Sequence, residues 1–555
     1  MQIKYNDYII DVKKGTKVCE LLEKQIEMAE LKPMACRFNN EIKRLDMEIE
    51  EDGVLDLLDY NSKDGKRAYI RGLIFIVCMA IKELYPNAKL TIEYQLYHSM
   101  FCLIDGISVT EKTLKEIRKK VDEIIKQNLP INKITVSKEE VLKKHKKYIE
   151  MMKHYESTED VIGIMQFDSP SRDIITLYNC KNYYNYLYGV MPLSTGDITN
   201  YELVKYDNGF LIRYPKRKRP EIIPELKDTS KLYETLKETS ETHRILNIHS
   251  LQQLNTKIKD GKIKDYILLD EALHEKKIAY IADEIAKNPK IRLIAIAGPS
   301  SSGKTTFSKR LGIELRLNKI KPVTISVDNY FVEREDTPLD EDGNLDFESI
   351  NAIDTKLLND HIEKLLKGEE IEAPTFNFHT GHKEYLGNKM KLNKDEILVM
   401  EGIHCLNDKL TYLIPKNEKF KIYISALTVL NIDNYNRIST TDTRLIRRIV
   451  RDKQYRGYSA ETTLSMWPGV NKGEGKNIYP FQEEADAMFN SALVYELSAL
   501  KNYALPQLQE ISNKSPYYSE AKRLCALLSY FEAIDSKDIP SNSLLREFIG
   551  GSIFE

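Results

Sequence analysis

The stretch "GPSSSGKTT" (298–306) has the residue types and spacing to hold a triphosphate. Gly298 and Gly303 let the backbone turn tightly, so that N–H groups converge on phosphate oxygens. Pro299, Ser300, Ser301 and Ser302 fill the turn. A helix opening at Lys304 adds the positive end of its dipole. The Lys304 ammonium can neutralise the β- and γ-phosphates, and the Thr305 hydroxyl can ligate Mg²⁺, with Thr306 completing the set. An accidental Gly-Ser-Gly loop is the plain alternative. The complete G-x-x-x-x-G-K-T pattern between a strand and a helix argues against it.

Two acids and a run of arginines follow. "KPVTISVDNYF" ends a strand near Asp328, and "EILVMEG" ends one at Glu401. Asp328 can orient an acceptor hydroxyl and take its proton, while Glu401 suits a carboxylate beside Mg²⁺. The bland reading is a carboxylate capping a helix. In "TRLIRRIVRDKQYRG", Arg444, Arg447, Arg448 and Arg451 recur at helical spacing and Arg456 follows. Arginines on a closing lid can meet the charge that phosphoryl transfer develops. A solvated charged face is the alternative.

These residues need a frame. "IRLIAIA" (291–297) reads as a buried parallel strand, and Phe307, Leu311 and Leu315 mark the buried side of the next helix. Strand, loop, helix and further strands ending in acids describe a parallel α/β sheet whose strand ends line the active crevice.

The set resembles the uridine kinase branch of the family that also holds phosphoribulokinase. The likeness rests on 298–306, "SVDNYF" (326–331), "LDFESINAID" (345–354), "APTFNF" (373–378), "VMEGIH" (399–404) and "RLIRRIVRDKQYRG" (444–457). It implies an ATP- and Mg²⁺-dependent nucleoside kinase acting on a ribose 5′-hydroxyl, uridine- or cytidine-like. Lys304, Asp328, Arg448, Arg451 and Arg456 would be catalytic, and Thr305, Asp328 and Glu401 would lie at the metal. The acceptor pocket would draw on Tyr330, Glu348, Phe376, His379 and His382. There the chain departs from the family pattern. Glu348 stands where uridine kinases carry the Asp that holds ribose hydroxyls. Phe376 stands for a Tyr, and either His379 or His382 stands for the family His. Losing a designed hydrogen bond shifts selectivity by orders of magnitude, so another small alcohol or a sugar phosphate is an alternative acceptor. A nucleotide switch in an RNA-binding regulator is a further alternative, but it has no need of an acceptor base such as Asp328.

The front half reads differently. "QIKYNDYIIDV" predicts two strands around an Asn-Asp turn, "GTKVCELLEKQIEMA" a helix, and "CRFNNEIKRLDMEIEEDGVLDLLDY" more strands. Residues 1–62 resemble the TGS β-grasp module of threonyl-tRNA synthetases, and 63–220 resemble the α+β editing domain that follows it, through "IKELYPNAKLTIEYQLYHSMFCLIDG" and "STGDITNYEL". Editing uses an H-x-x-x-H and a C-x-x-x-H pair, and here those positions fall on Arg71, Phe75, Leu187 and Met191. The resemblance thus implies a degenerate site with no zinc. This half is expected to be a scaffold, a homo-oligomer surface or a module for tRNA or other RNA, with "KKHKK" (143–147) and "KRKR" (216–219) offering positive charge whose plainer reading is solvated surface or linker charge. The rest divides into a helical linker (221–289), the kinase domain (290–505) and a C-terminal helical appendage (506–555).

Composition bounds these readings. Charged residues make up 30% and net charge is −2, which gives no global drive toward nucleic acid or membrane. The seven Cys are odd in number and irregularly spaced, as expected of reduced thiols in the cytoplasm. The apolar run 72–81 is half the length of a membrane span and predicts a buried helix instead.

Overall fold

The computed structural model describes residues 1–137, 174–339, 343, 345–377 and 380–554. The basic stretch 143–147 and His379 lie outside the described residues.

The chain is α/β, built around one parallel sheet. Its strands run in the order Lys321–Ser326, Glu396–Glu401, Leu293–Ala297, Lys419–Ser425, Ala487–Asn490. All five residues of the central strand are buried, as a strand covered on both faces requires. The phosphate-loop helix (Lys304–Leu317) buries Phe307, Leu311 and Leu315, four apart, against that sheet. The same core takes in the helices Ile263–Ala286, Glu496–Gln509 and Tyr518–Ser529 and the terminal turn Arg546–Ile549. The segment beyond 505 therefore shares its hydrophobic centre with the sheet.

The N-terminal half holds a five-stranded sheet and a four-stranded antiparallel one. In the first, Asn6 takes a positive φ (50°) in the turn between Gln2–Tyr5 and Tyr8–Asp11. The expected helix after it is two short ones, Val18–Leu21 and Glu23–Glu27. The break is at Leu22 (φ −111°, ψ 25°), which is fully buried, so core packing overrides a helix too short to be stable alone. The apolar run 72–81 lies in the helix Lys63–Leu84 and is buried throughout. Among the described residues no helix is long and apolar enough to cross a membrane.

The four-stranded sheet faces two cores. Cys102, Phe210 and Ile212 pack with the Lys63–Leu84 helix, while their neighbours Phe101 and Leu211 pack toward the parallel-sheet half with Tyr233 and Leu236. This is the period-two alternation of a strand used to join two layers. The loop 431–438 completes the junction. Ile92 N–H donates to the Asn434 carbonyl (2.8 Å) and Tyr188 N–H to Asn436 Oδ1 (2.7 Å). The Asn431 and Asn436 amides donate back to the Ile92 and Tyr186 carbonyls. That loop runs directly into the arginine helix (Thr440–Arg456).

Candidate active site

The phosphate loop is shaped by its glycines. A Cβ at Gly298 would lie 2.0 Å from the Ile424 carbonyl oxygen, and Gly303 holds φ 86° with Leu544 packed where its side chain would be. Lys304 Nζ folds over the loop and donates to the Gly298 carbonyl at 3.0 Å. Thr305 Oγ1 lies 3.5 Å from Glu401 Oε2.

Strand register sets the acids beside this loop. Ser326 pairs with Glu401 across the sheet, and Ile296 pairs with Glu401 from the other side. Asp328 follows Ser326 by two residues in a 3₁₀ turn, so both carboxylates lie at the loop edge. Protein crowding raises the Asp328 pKa, against the pull of Lys304 and Arg456. Burial pushes Glu401 up to about 6, with Lys304 opposing and Asp328 and Glu547 adding to the rise. Glu348 joins the group: burial lifts it to about 7, the Glu474 charge adds to that, and Arg448 and Lys304 oppose it. A hydroxyl and two carboxylates form an all-oxygen donor set that suits Mg²⁺, which takes its remaining ligands from phosphates and water. No group of three or more His, Cys, Asp or Glu positioned for a metal occurs among the described residues.

Two further carboxylates reach the loop that sequence reasoning missed. Glu474 Oε1 accepts from Ser300 N–H (2.8 Å), and Glu547 Oε2 accepts from Thr306 N–H (3.0 Å). Both N–H groups belong to the loop read as the phosphate cradle. One signal for Glu474 was its setting between Gly473 and Gly475, since glycines within a helix mark close approach. A Cβ on Gly473 would strike the Glu348 side chain. Glu547 left no comparable signal.

The arginines at helical spacing share a face that is buried at Arg444, Arg447 and Arg448 and partly exposed at Arg451, and Arg456 beyond them is half-exposed. Arg444 and Arg447 are wholly inaccessible. Arg444 grips Glu474 with two hydrogen bonds (2.6 and 2.8 Å) and donates to the Ser300 carbonyl. Arg447 holds Glu496 at 2.5 Å and donates to the Ser301 carbonyl. Arg448 reaches Ser300 Oγ (2.8 Å), and Arg448, Arg451 and Arg456 all converge on Asp452.

Residues 293–498 match the model of the Phosphoribulokinase / Uridine kinase family. A uridine kinase of Mycoplasma genitalium is 32% identical over 178 residues, which are 32% of this chain and 73% of that one. A uridine kinase of Clostridium novyi is 30% identical over 198 residues, 35% of this chain and 84% of that one. The chain belongs to the phosphoribulokinase/uridine kinase family. Fused ahead of its uridine kinase-like part is a second likeness. The threonine–tRNA ligase of Clostridium tetani is 29% identical over 197 residues, 35% of this chain, in the N-terminal half. The chain spans about 30% of the length of the threonine–tRNA ligases it matches.

The residues predicted for the acceptor pocket lie in unlike surroundings. Tyr330 is 1% exposed and its hydroxyl meets His361 Nδ1 at 3.0 Å, so it is held in the core. Phe376 is buried beside Phe331, with ring centres 5.5 Å apart. His382 Nδ1 lies 2.8 Å from Glu333 on a half-exposed hairpin. Of these residues, Glu348 alone has Lys304 and Asp328 among the charges that set its pKa. In the ligase-like half, Arg71, Phe75, Leu187 and Met191 do come together. Phe75, Leu187 and Met191 sit in one core, while Arg71 and Leu187 line a cavity beside it.

Proposed function

We propose that this protein is an ATP-dependent nucleoside kinase that phosphorylates a ribose 5′-hydroxyl. The observation that carries the reading is the gathering of Lys304, Asp328, Glu401 and Glu348 at one loop inside a uridine kinase-like sheet. The loop N–H groups and Lys304 bind and orient the triphosphate. Thr305 and Glu401, with Asp328 nearby, would hold Mg²⁺, which when bound neutralises phosphate charge. Asp328 accepts the acceptor hydroxyl proton as its oxygen bonds to the γ-phosphorus. The bond from that phosphorus to the β-phosphate oxygen breaks and ADP leaves. The raised pKa of Asp328 favours this proton transfer. Glu348, near half-protonated at neutral pH, can accept from or donate to a ribose hydroxyl. Arg448, Arg451 and Arg456 would meet charge on the transferred group once Asp452 shares them.

A second reading keeps the chemistry and changes the acceptor to a sugar phosphate or another small alcohol. The burial of Phe376 and Tyr330 favours it, because neither ring is free to receive a base. The test is ADP release from ATP and Mg²⁺ across a panel of nucleosides and sugar phosphates, beside Lys304→Ala and Asp328→Asn. Uridine- or cytidine-stimulated release that both variants abolish supports the first reading. Release with sugar phosphates alone selects the second, and no stimulation by any acceptor refutes both.

A further inference from the structure

A cavity of about 280 Å³ lies where the ligase-like half meets the approach to the arginine helix. No residue of the phosphate loop lines it. Five cationic side chains and one acidic side chain, Asp442, form its charged lining. Arg67 and Arg523 are neutralised within the protein by Glu520, and Arg523 also holds Asp442 through two hydrogen bonds. The other three, Lys66, Arg71 and Arg437, have no carboxylate within 4 Å among the described residues. Arg71 donates to the Val190 carbonyl (2.7 Å), and Arg437 to the Ile438 carbonyl (2.9 Å). Lys66 lies over the Tyr214 ring, 5.0 Å from its centre.

Desolvation lowers the pKa of all three cations, Lys66 to about 8 and Arg71 to about 10. Positive charge drawn out of water with no internal anion is stabilised by an external one. The helix N-terminus capped by Ser439 adds further positive potential at the same wall. The uncharged walls are mainly aliphatic, with three aromatic rings among them, Tyr188, Tyr214 and Tyr435. Guanidinium groups recognise phosphate by paired hydrogen bonds, and tyrosine rings receive a flat base. The volume is close to the lower limit of about 300 Å³ for small-molecule sites, which suits a mononucleotide and not a longer strand.

We infer that this cavity is a binding site for a nucleoside monophosphate, with Arg71 and Arg437 to receive its phosphate. A ligand there touches Asp442, in the first turn of the helix whose Arg444 and Arg447 brace Ser300 and Ser301. The site is thus placed to report to the phosphate loop.

The test is calorimetric binding of uridine 5′-monophosphate and adenosine 5′-monophosphate to the full chain carrying Lys304→Ala, which disables the phosphate loop. Inorganic phosphate and a bulk tRNA preparation serve as further arms. At least one mononucleotide should bind, and Arg71→Gln and Arg437→Gln should each weaken it by about tenfold or more, the loss of one charge-assisted hydrogen bond. Arg71→Lys should restore part of the affinity, and thermal melting should show each variant folded. Mononucleotide affinity unchanged by both Gln variants overturns the inference, as does affinity no better than that of inorganic phosphate. Binding of tRNA alone, lost in the same variants, assigns the cavity to RNA instead. Nucleoside-stimulated ADP release by the unaltered chain is scored separately, so failure here leaves the kinase reading standing.

Discussion

Around the phosphate loop, the buried arginines are answered by acids: Arg444 by Glu474 and Arg447 by Glu496. At the cavity before the same helix, Lys66, Arg71 and Arg437 are left without one. The loop region holds the converse case too, since Asp328 has no ion-pair partner within 4 Å among the described residues. Pairing separates two uses of charge. Arg444 and Arg447, each locked to a buried carboxylate and wholly inaccessible, have their fields cancelled and their geometry fixed, so they serve as scaffold. An unpaired charge keeps its field for something outside the protein.

The largest effect should follow from removing an unpaired working charge. Asp328→Asn is expected to lower kcat by about 10²- to 10⁴-fold, the usual contribution of a general base. ATP binding and the melting temperature should change little. A large loss of stability instead would place Asp328 among the scaffold charges.

Next comes a paired arginine. Arg444→Ala leaves Glu474 buried and uncompensated and should cost about 3–5 kcal/mol of stability, read by denaturant unfolding. Arg444→Ala combined with Glu474→Ala should recover part of that loss, because the stranded charge is gone. If the double variant is no more stable than the single one, the scaffold account fails.

A pH series tests the metal acid. Glu401 titrates near 6, above an ordinary carboxylate, so it is ionised at pH 7 and increasingly protonated below 6. The Mg²⁺ concentration for half-maximal activity should therefore rise as pH falls through 6, and Glu401→Gln should flatten that rise. The smallest change expected is at Glu547. Glu547→Ala frees Thr306 N–H and removes a negative charge from the loop, so the KM for ATP should fall several-fold with kcat nearly unchanged. An unaltered KM would show that the carboxylate does not compete with nucleotide.

Much of the loop side was legible because it is local. A strand, a glycine turn and a helix occupy consecutive residues from Leu293 to Leu317. Asp328 and Glu401 were legible because each closes an apolar strand on the same edge. The arginines were half legible. Their spacing put them on one face, but a charge-rich face reads as solvated unless its buried acids are known, and Glu496 lies 49 residues from Arg447. The acceptor residues were the least legible. Tyr330 and Phe376 sit near the right strand ends, yet packing against His361 and Phe331 turns them inward. The split helix at Leu22 shows the same override on a smaller scale.

The contact between Thr306 and Glu547 spans 241 residues of chain. At ribosomal speeds of roughly 5–20 residues per second, that separation corresponds to about 10–50 s of synthesis. Through that interval the loop and its helix are already outside the ribosome while Glu547 and Leu544 are not. Late in that interval, once the framing strands through Ala487–Asn490 are also made, the nascent chain offers nucleotide a Thr306 N–H that no carboxylate contests, and a Gly303 with no leucine seated on it. The order in which the polypeptide is made thus gives nucleotide the first claim on the loop and the tail the second.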